Sequence, residues 1–277
     1  MGLNPSEAFA KELKRRRYSE RTISTYIGCL ERFLRDTKKE VNKITKKDVR
    51  LYLEKMSDKK RAGNTMNVTL MSLKFYFEQI LGRKMWIDIR YSKTPEKIQR
   101  YLTKEEIIKL IDSIKNFKHQ LMICLMYSAG LRVSELVNLR VKELVLENFY
   151  GFVRKGKGNK DRIFVISKNL ISGIGYLIKT ENLTGENFLF IFNRDKKYSV
   201  KSIQNIVKSS ARNSGIENWK EVHPHTLRHS FATHLIENDY ALTDVQASLG
   251  HKSPETSMIY AHSSGKMIGI KSPLETL

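Results

Sequence analysis

The apolar positions of the first eighty residues recur at helical spacing. Ser19 precedes Ile23, Tyr26, Ile27, Leu30, Phe33 and Leu34, an i, i+3, i+4, i+7 stripe that predicts an amphipathic helix capped by that serine. Upstream, Ser6 can cap a segment running through Lys14. Thr45 and Asp48 open a third segment, apolar at Val49, Tyr52, Leu53 and Met56. Asn64 opens a fourth, which carries Leu70, Leu73, Phe77 and Ile80. Four short helices with basic outer faces are therefore expected. The stretch Gly82 to Arg100, "GRKMWIDIRYSKTPEKIQR", is basic, holds Pro95 and has weak helical period, so it reads as an interdomain linker.

Helical period resumes at Thr103, which forms a capping box with Glu106, and continues through Tyr127 to a break at Gly130. A further helix is expected over Val133 to Leu139. The period then changes to two. Residues 144–148, 150–154 and 162–166 predict three short antiparallel strands, the last two joined by the turn-rich "KGKGNKD". Helices return from Ser167. The expected fold class is mainly α, α+β by content. Its parts are a four-helix N-terminal domain (1–82), a linker (83–100), a mixed helical domain with a small three-stranded antiparallel sheet (101–262) and a tail (263–277).

Composition narrows the partners. The 277 residues hold 50 Lys plus Arg against 29 Asp plus Glu, a formal charge of +21. Such a chain attracts polyanions, nucleic acid first. Hydrophobic residues at 40% and charged residues at 29% exclude a disordered chain. The longest apolar run, around Leu121 to Leu131, is too short to span a bilayer, and the polar, basic opening through Arg17 is not a signal peptide. A cytoplasmic location without membrane attachment is expected. Cys29 and Cys124 sit inside apolar helical patterns and read as reduced core residues.

Five places carry candidate chemistry. Arg132, in "SAGLRVSEL", lies among apolar neighbours, so its guanidinium is expected to be at least half buried and to need an anionic partner; Glu135, one turn on, could orient it. Lys157 sits at a hairpin tip. Such lysines are normally just solvated, but a mobile one can enter a DNA groove or donate a proton. "HTLRH" sets His225 three residues before Arg228. His225 and His229 have the i, i+4 spacing of zinc helices, yet the glutamate of that motif is missing and Arg228 would place a fixed cation beside the metal, so no metal is expected. His229 and His234 read as packing or hydrogen-bonding residues, and His223 and His262 carry no clear signal. His251 lies in "LGH". Tyr260 falls on a short segment capped by Ser253 and started by Pro254, where a tyrosine is ordinarily core.

Taken together, these groups suit phosphoryl transfer without metal or other cofactor. Two guanidiniums can grip the nonbridging oxygens of a phosphorane-like state. A tyrosine, with a pKa near ~10, needs a base or cations beside it to attack. A lysine can protonate the leaving 5′ oxygen, and a histidine near the arginines can position the phosphate and exchange protons.

Over nearly its whole length the sequence resembles the tyrosine recombinases, the phage integrase family. "GLRVSEL", "GKGNKDR", "HTLRHSFATHL" and "LGHKSPETSMIYAH" stand in that family's order and spacing. The resemblance implies a helical core-binding domain, a catalytic domain and a double-stranded DNA substrate held between them. It implies that Arg132, Lys157, His225, Arg228 and His251 surround the scissile phosphate, that Glu135 supports the first arginine, and that Tyr260 attacks to give a 3′-phosphotyrosyl link and a free 5′ hydroxyl without ATP. The subgroup it most resembles is the Xer-type recombinases, archaeal branch, with no arm-binding domain before the first helix. The expected role is resolution of chromosome or plasmid dimers; alternatives are the integrase of a mobile element and a tyrosine topoisomerase. A homotetramer on two inverted-repeat sites is expected, with the free protein monomeric. The 277 − 260 = 17 residues after Tyr260 look like a poor helix. They are expected to dock on a neighbouring protomer.

Overall fold

The computed structural model describes residues 4–83, 89–93, 100–154, 161–193, 196–250 and 272–277. The chain forms two compact units, residues 1–97 and 98–277.

In the first unit the described helices are α1 (Pro5–Arg15), α2 (Glu20–Thr37), α3 (Lys46–Asp58) and α4 (Gly63–Lys74). Asn4, not Ser6, caps α1. Its side chain accepts the Ser6 N–H at 3.1 Å, and Pro5 takes the first helical position, where no N–H is required. Ser19 caps α2 as its spacing predicts, accepting the Thr22 N–H at 3.1 Å. The Thr45 N–H donates to Asp48 at 2.8 Å to start α3. Helix α4 starts before Asn64, at Gly63, without a side-chain cap. It runs on into a π turn, Phe75–Ile80, that buries the adjacent Tyr76 and Phe77. Their rings meet Phe9 (5.4 Å) and Phe33 (6.3 Å), which closes an aromatic core over Leu13, Leu30 and Leu73. Part of the expected linker is fastened to this unit. The Arg83 guanidinium donates to the Asn42 and Ile44 carbonyls, and Ser92 exchanges two hydrogen bonds with the Asn67 side chain at 2.7 and 3.0 Å.

The second unit begins with α5 (Lys104–Asp112), whose capping box is reciprocal: Thr103 N–H to Glu106 at 3.0 Å and Glu106 N–H to the Thr103 hydroxyl at 3.2 Å. Helix α6 (Phe117–Ser128) is buried continuously from Leu121 to Ser128. A helix apolar on every side belongs in the middle of a core, and the other elements pack round it. The chain reverses at Gly130, with φ +56°, where a Cβ would lie 2.6 Å from the Phe231 ring. Helix α7 (Val133–Leu136) ends sooner than its apolar pattern predicts. The Leu139 carbonyl is taken by the Leu189 N–H at 2.8 Å, so the chain has already turned outward to pair with a distant segment.

Strands β1 (Leu144–Val145), β2 (Tyr150–Val153) and β3 (Arg162–Val165) form the expected antiparallel sheet in the order β1-β2-β3, with Tyr150 opposite Val165 and Val153 opposite Arg162. The first strand is shorter than its alternation implies, because residues 146–148 make a 3₁₀ turn that closes on Phe149 in the left-handed region. Helix α8 (Lys168–Thr180) follows. A second ribbon that periodicity did not reveal, β4 (Ile191–Asn193) with β5 (Lys196–Lys197), then leads to α9 (Val200–Asn213), α10 (Pro224–Glu237) and α11 (Leu242–Ser248).

The last residues form a 3₁₀ turn, Pro273–Thr276, held against their own unit. The Ser272 hydroxyl donates to the Ser128 carbonyl at 3.0 Å, and Glu275 accepts the Lys168 N–H at 3.1 Å. These contacts bury Pro273 and cap the start of α8 within the unit. Both cysteines are buried and free, and burial pushes the Cys124 thiol up to about 12, which leaves it inert. No helix among the described residues is long and apolar enough to cross a membrane.

Gly130→Ala combines left-handed strain with overpacking against Phe231. It is expected to lower stability by at least about 2 kcal/mol, read as a shift in the urea midpoint at unchanged slope.

Candidate active site

The site grows out of the Gly130 turn. Arg132 follows it as the N-cap of α7, and one turn later Glu135 points back at it. The Arg132 N–H donates to one carboxylate oxygen at 2.9 Å and its guanidinium to the other at 2.6 Å. Four residues are too short a helix to persist alone, so this clamp and the packing of Leu136 hold it.

Glu135 does not serve Arg132 alone. Arg162, at the start of β3, donates to the same carboxylate at 2.7 Å, and Arg228, in the second turn of α10, has its guanidinium 3.9 Å away. The exposures decide the electrostatics. Glu135, Arg162 and Arg228 side chains are 4%, 5% and 8% exposed, whereas Arg132 is 20% exposed. Among the described residues one carboxylate therefore faces three guanidiniums, a surplus of two positive charges, with Arg132 the member open to solvent. Burial by itself would raise the Glu135 carboxyl, but the charge of Arg162 and hydrogen bonds from Arg162 and Arg132 outweigh it and hold the group below the usual carboxylate range. Arg228 pays the opposite penalty: burial, then repulsion from Arg162 and Arg132, push it down to about 9, so it is still cationic at neutral pH. Two of its N–H groups donate to backbone, one to the Gly130 carbonyl and one to the Leu249 carbonyl, which ties the turn before α7 to the end of α11.

Helix α10 brings His225 to this cluster. His223 is its N-cap, accepting the Thr226 N–H at 3.2 Å, a role the sequence did not signal. The His225 ring lies 6.0 Å from that of His223 on the exposed first turn. Partial burial, together with His223, Arg228 and Arg132, keeps His225 below the usual imidazole value, so it is neutral at pH 7. His234 lies deeper, its Nδ1 2.7 Å from the Tyr127 hydroxyl in the core, which is a packing role. Among the described residues no histidine, cysteine or carboxylate cluster has metal-binding geometry.

The structure thus brings together Arg132, Glu135, His225 and Arg228. Lys157, His251 and Tyr260 lie outside the described residues. Arg162 was missed by the sequence reading, which treated residues 162–166 only as a strand. The signal available was a cation on the first residue of an otherwise apolar run, "RIFVI". In the first unit, a basic cleft of about 930 Å³ lies among α2, α3 and α4, lined by Arg32, Arg35, Lys38, Lys55, Lys59 and Arg61 with Asp36 the one acid among its lining residues.

Residues 100–267 match the phage integrase family, and residues 6–87 match the phage integrase N-terminal SAM-like domain. The chain belongs to the phage integrase family. Tyrosine recombinase XerA of Pyrococcus horikoshii is 33% identical over 257 residues, 92% of this chain and 87% of that protein. A crystal structure of XerA recombinase is 26% identical, with TM-score 0.52 and 94% of both chains covered. A lambda integrase tetramer bound to a Holliday junction shares the fold, at 19% identity, TM-score 0.70, and 90% of this chain against 74% of that one. This member of the family is a tyrosine recombinase of Xer type, a site-specific DNA strand-transferring enzyme.

The described histidines are expected to make the recombinase less stable in acid. His119, His225, His229 and His234 are all shifted below the ordinary imidazole value, chiefly by burial. Unfolded, each takes up its proton near pH ~6.5. Their contribution to stability is fully present above that value and is lost as pH falls through the lower folded values. Thermal melting is expected to show stability falling between about pH 6.5 and 5, above the range where carboxylates titrate. A melting temperature flat across that window would count against it.

Proposed function

We propose that the second unit cuts one DNA strand by attack of the Tyr260 oxygen on a backbone phosphate. The new bond is a 3′-phosphotyrosyl ester and the bond broken is to the 5′ oxygen. The tyrosine gives up its proton to a neighbouring base, a role open to the neutral His225 ring, and the leaving 5′ oxygen gains one from Lys157. Arg132 and Arg228 bind the nonbridging oxygens, and Glu135 aims Arg132. His225 holds the phosphate through whichever ring nitrogen bears its proton, and His251 assists from the segment that also carries Tyr260. Rejoining is the same step in reverse with a different 5′ hydroxyl, so the ester conserves the bond energy and no nucleotide is consumed.

The observation that carries this reading is the surplus of two positive charges at Glu135, with Arg132 partly exposed and His225 beside it. Such a cluster is incomplete without an anion, and its charge is greatest where a phosphorane would need it. Lys157, His251 and Tyr260 take their roles from their motifs, "GKGNKDR" and "LGHKSPETSMIYAH".

The substrate is a duplex carrying an inverted repeat. Each protomer breaks one strand, so exchange between two duplexes requires four protomers. The fold shared with a lambda integrase tetramer on a Holliday junction supports that count. The basic cleft of the first unit supports backbone contact there. A charge of +21 keeps free protomers apart until DNA neutralises them. The whole-length likeness to XerA supports a role in converting chromosome or plasmid dimers to monomers.

Tyr260→Phe is expected to give no covalent adduct on a nicked suicide duplex while binding a half-site normally. A denaturing gel reads the adduct, and its survival in the variant would assign the attack to another residue.

Arg132→Ala and Arg228→Ala are each expected to slow single-turnover cleavage by at least ~10², through lost stabilisation of the transition-state charge. Quenched-flow time courses measure this, and a change under tenfold in both would leave the arginines as binding groups only.

A further inference from the structure

Arg162 is built into the site more firmly than its position in a strand requires. One N–H donates to Glu135 at 2.7 Å and another to the Ser248 carbonyl at 2.8 Å. Its aliphatic stem lies against Gly250: a Cβ there would come within 2.6 Å of Arg162 Cδ. Gly250 also has φ +68°, so both its backbone and its missing side chain suit this passage. The third polar atom, Nε, is buried with no acceptor among the described residues. A guanidinium so deeply buried is costly, and plain sheet packing would be served by an apolar residue, as at the neighbouring Ile163 and Phe164. Its partners span two otherwise separate elements: α7 through Glu135, and the end of α11 through Ser248.

We propose that Arg162 is a positioning residue of the strand-transfer reaction, holding Glu135 so that its carboxylate aims Arg132 and setting the positive surplus of the phosphate site. The inference rests on the proposed function. Glu135 has two oxygens. Arg162 fixes the one that also receives the Arg132 N–H, which leaves the other directed at the Arg132 guanidinium. Removing Arg162 has two consequences. Glu135 is left with two ion-pair partners in place of three, so it draws Arg132 and Arg228 away from the phosphate. The surplus charge also drops from two to one. Neutralising Glu135 at the same time restores that surplus, since Arg132 and Arg228 then face no carboxylate.

The test uses the full-length chain and a nicked suicide duplex, in single-turnover cleavage well below every melting temperature. Arg162→Met is expected to slow cleavage by about tenfold or more while half-site affinity stays within about threefold, because the distant duplex contacts are untouched. Arg162→Lys should fall between it and the parent, as an ammonium can keep one anchor but not the fork. Glu135→Gln/Arg162→Met should cleave several-fold faster than Arg162→Met alone per folded molecule, with the folded fraction of both read by circular dichroism, because the surplus of two charges returns. Should Arg162→Met fail to fold, Arg162→Lys and the double variant, in which no buried carboxylate is stranded, carry the comparison. Folded Arg162→Met cleaving like the parent would overturn the proposal, and so would a double variant no faster than the single one. If the parent chain itself forms no adduct, the proposed function fails instead.

Discussion

Everything about this site depends on one buried carboxylate. Glu135 is nearly inaccessible to water, and a carboxylate there stays ionised only because cations and an N–H donor surround it. The converse matters more. Three guanidiniums gathered in the same volume cannot be neutralised by one acid, and the imbalance is greatest where Arg132 emerges towards solvent. Breaking such a buried pair from one side typically costs about 3–5 kcal/mol, whereas exchanging the whole pair for packed apolar groups is often neutral. Retaining it is therefore poorly explained by stability and well explained by the need to receive an anion.

The scaffold meets this constraint by drawing the charged groups from α7, β3 and α10 and holding Arg162 and Arg228 with backbone carbonyls as well. Arg228 lies in the second turn of α10 with its side chain buried. Carbonyls of Gly130 and Leu249 compensate it from outside the helix. Those carbonyls are available because Gly130 turns in the left-handed region against Phe231 and because α11 ends in register with it. Helix α6, apolar and buried from Leu121 to Tyr127, anchors the turn: it cannot rotate or slide without exposing part of its buried surface.

Several elements were legible in the chain for reasons that stay local. Ser19 and Thr103 cap their helices through bonds to residues three positions away, and the stripe from Ile23 to Phe33 faces the core because helical period alone puts it on one side. Elements that depend on distant partners were misjudged. Helix α7 stops early because Leu189 claims the Leu139 carbonyl, and the β4–β5 ribbon has too few residues to carry a periodic signal. Asn4 displaced Ser6 as a cap because a proline at the first helical position settles where the helix begins.

The sequence by itself determined the chemistry available: an arginine after a glycine turn, a histidine three residues before a second arginine, a tyrosine in a spaced motif, and a charge suited to a polyanion. It determined the helical class as well, since hydrophobic period and capping residues act over a few positions. Only the tertiary structure decided how that charge is shared. Arg162 reads as one more cation in a basic chain until the fold places it 27 residues along from Glu135 and yet in contact with it. His223 reads as one of four close histidines until α10 uses it as a cap. The reason is physical: the strength of a charge depends on its burial and on its neighbours in space, and both are set by packing between elements that the order of residues does not disclose.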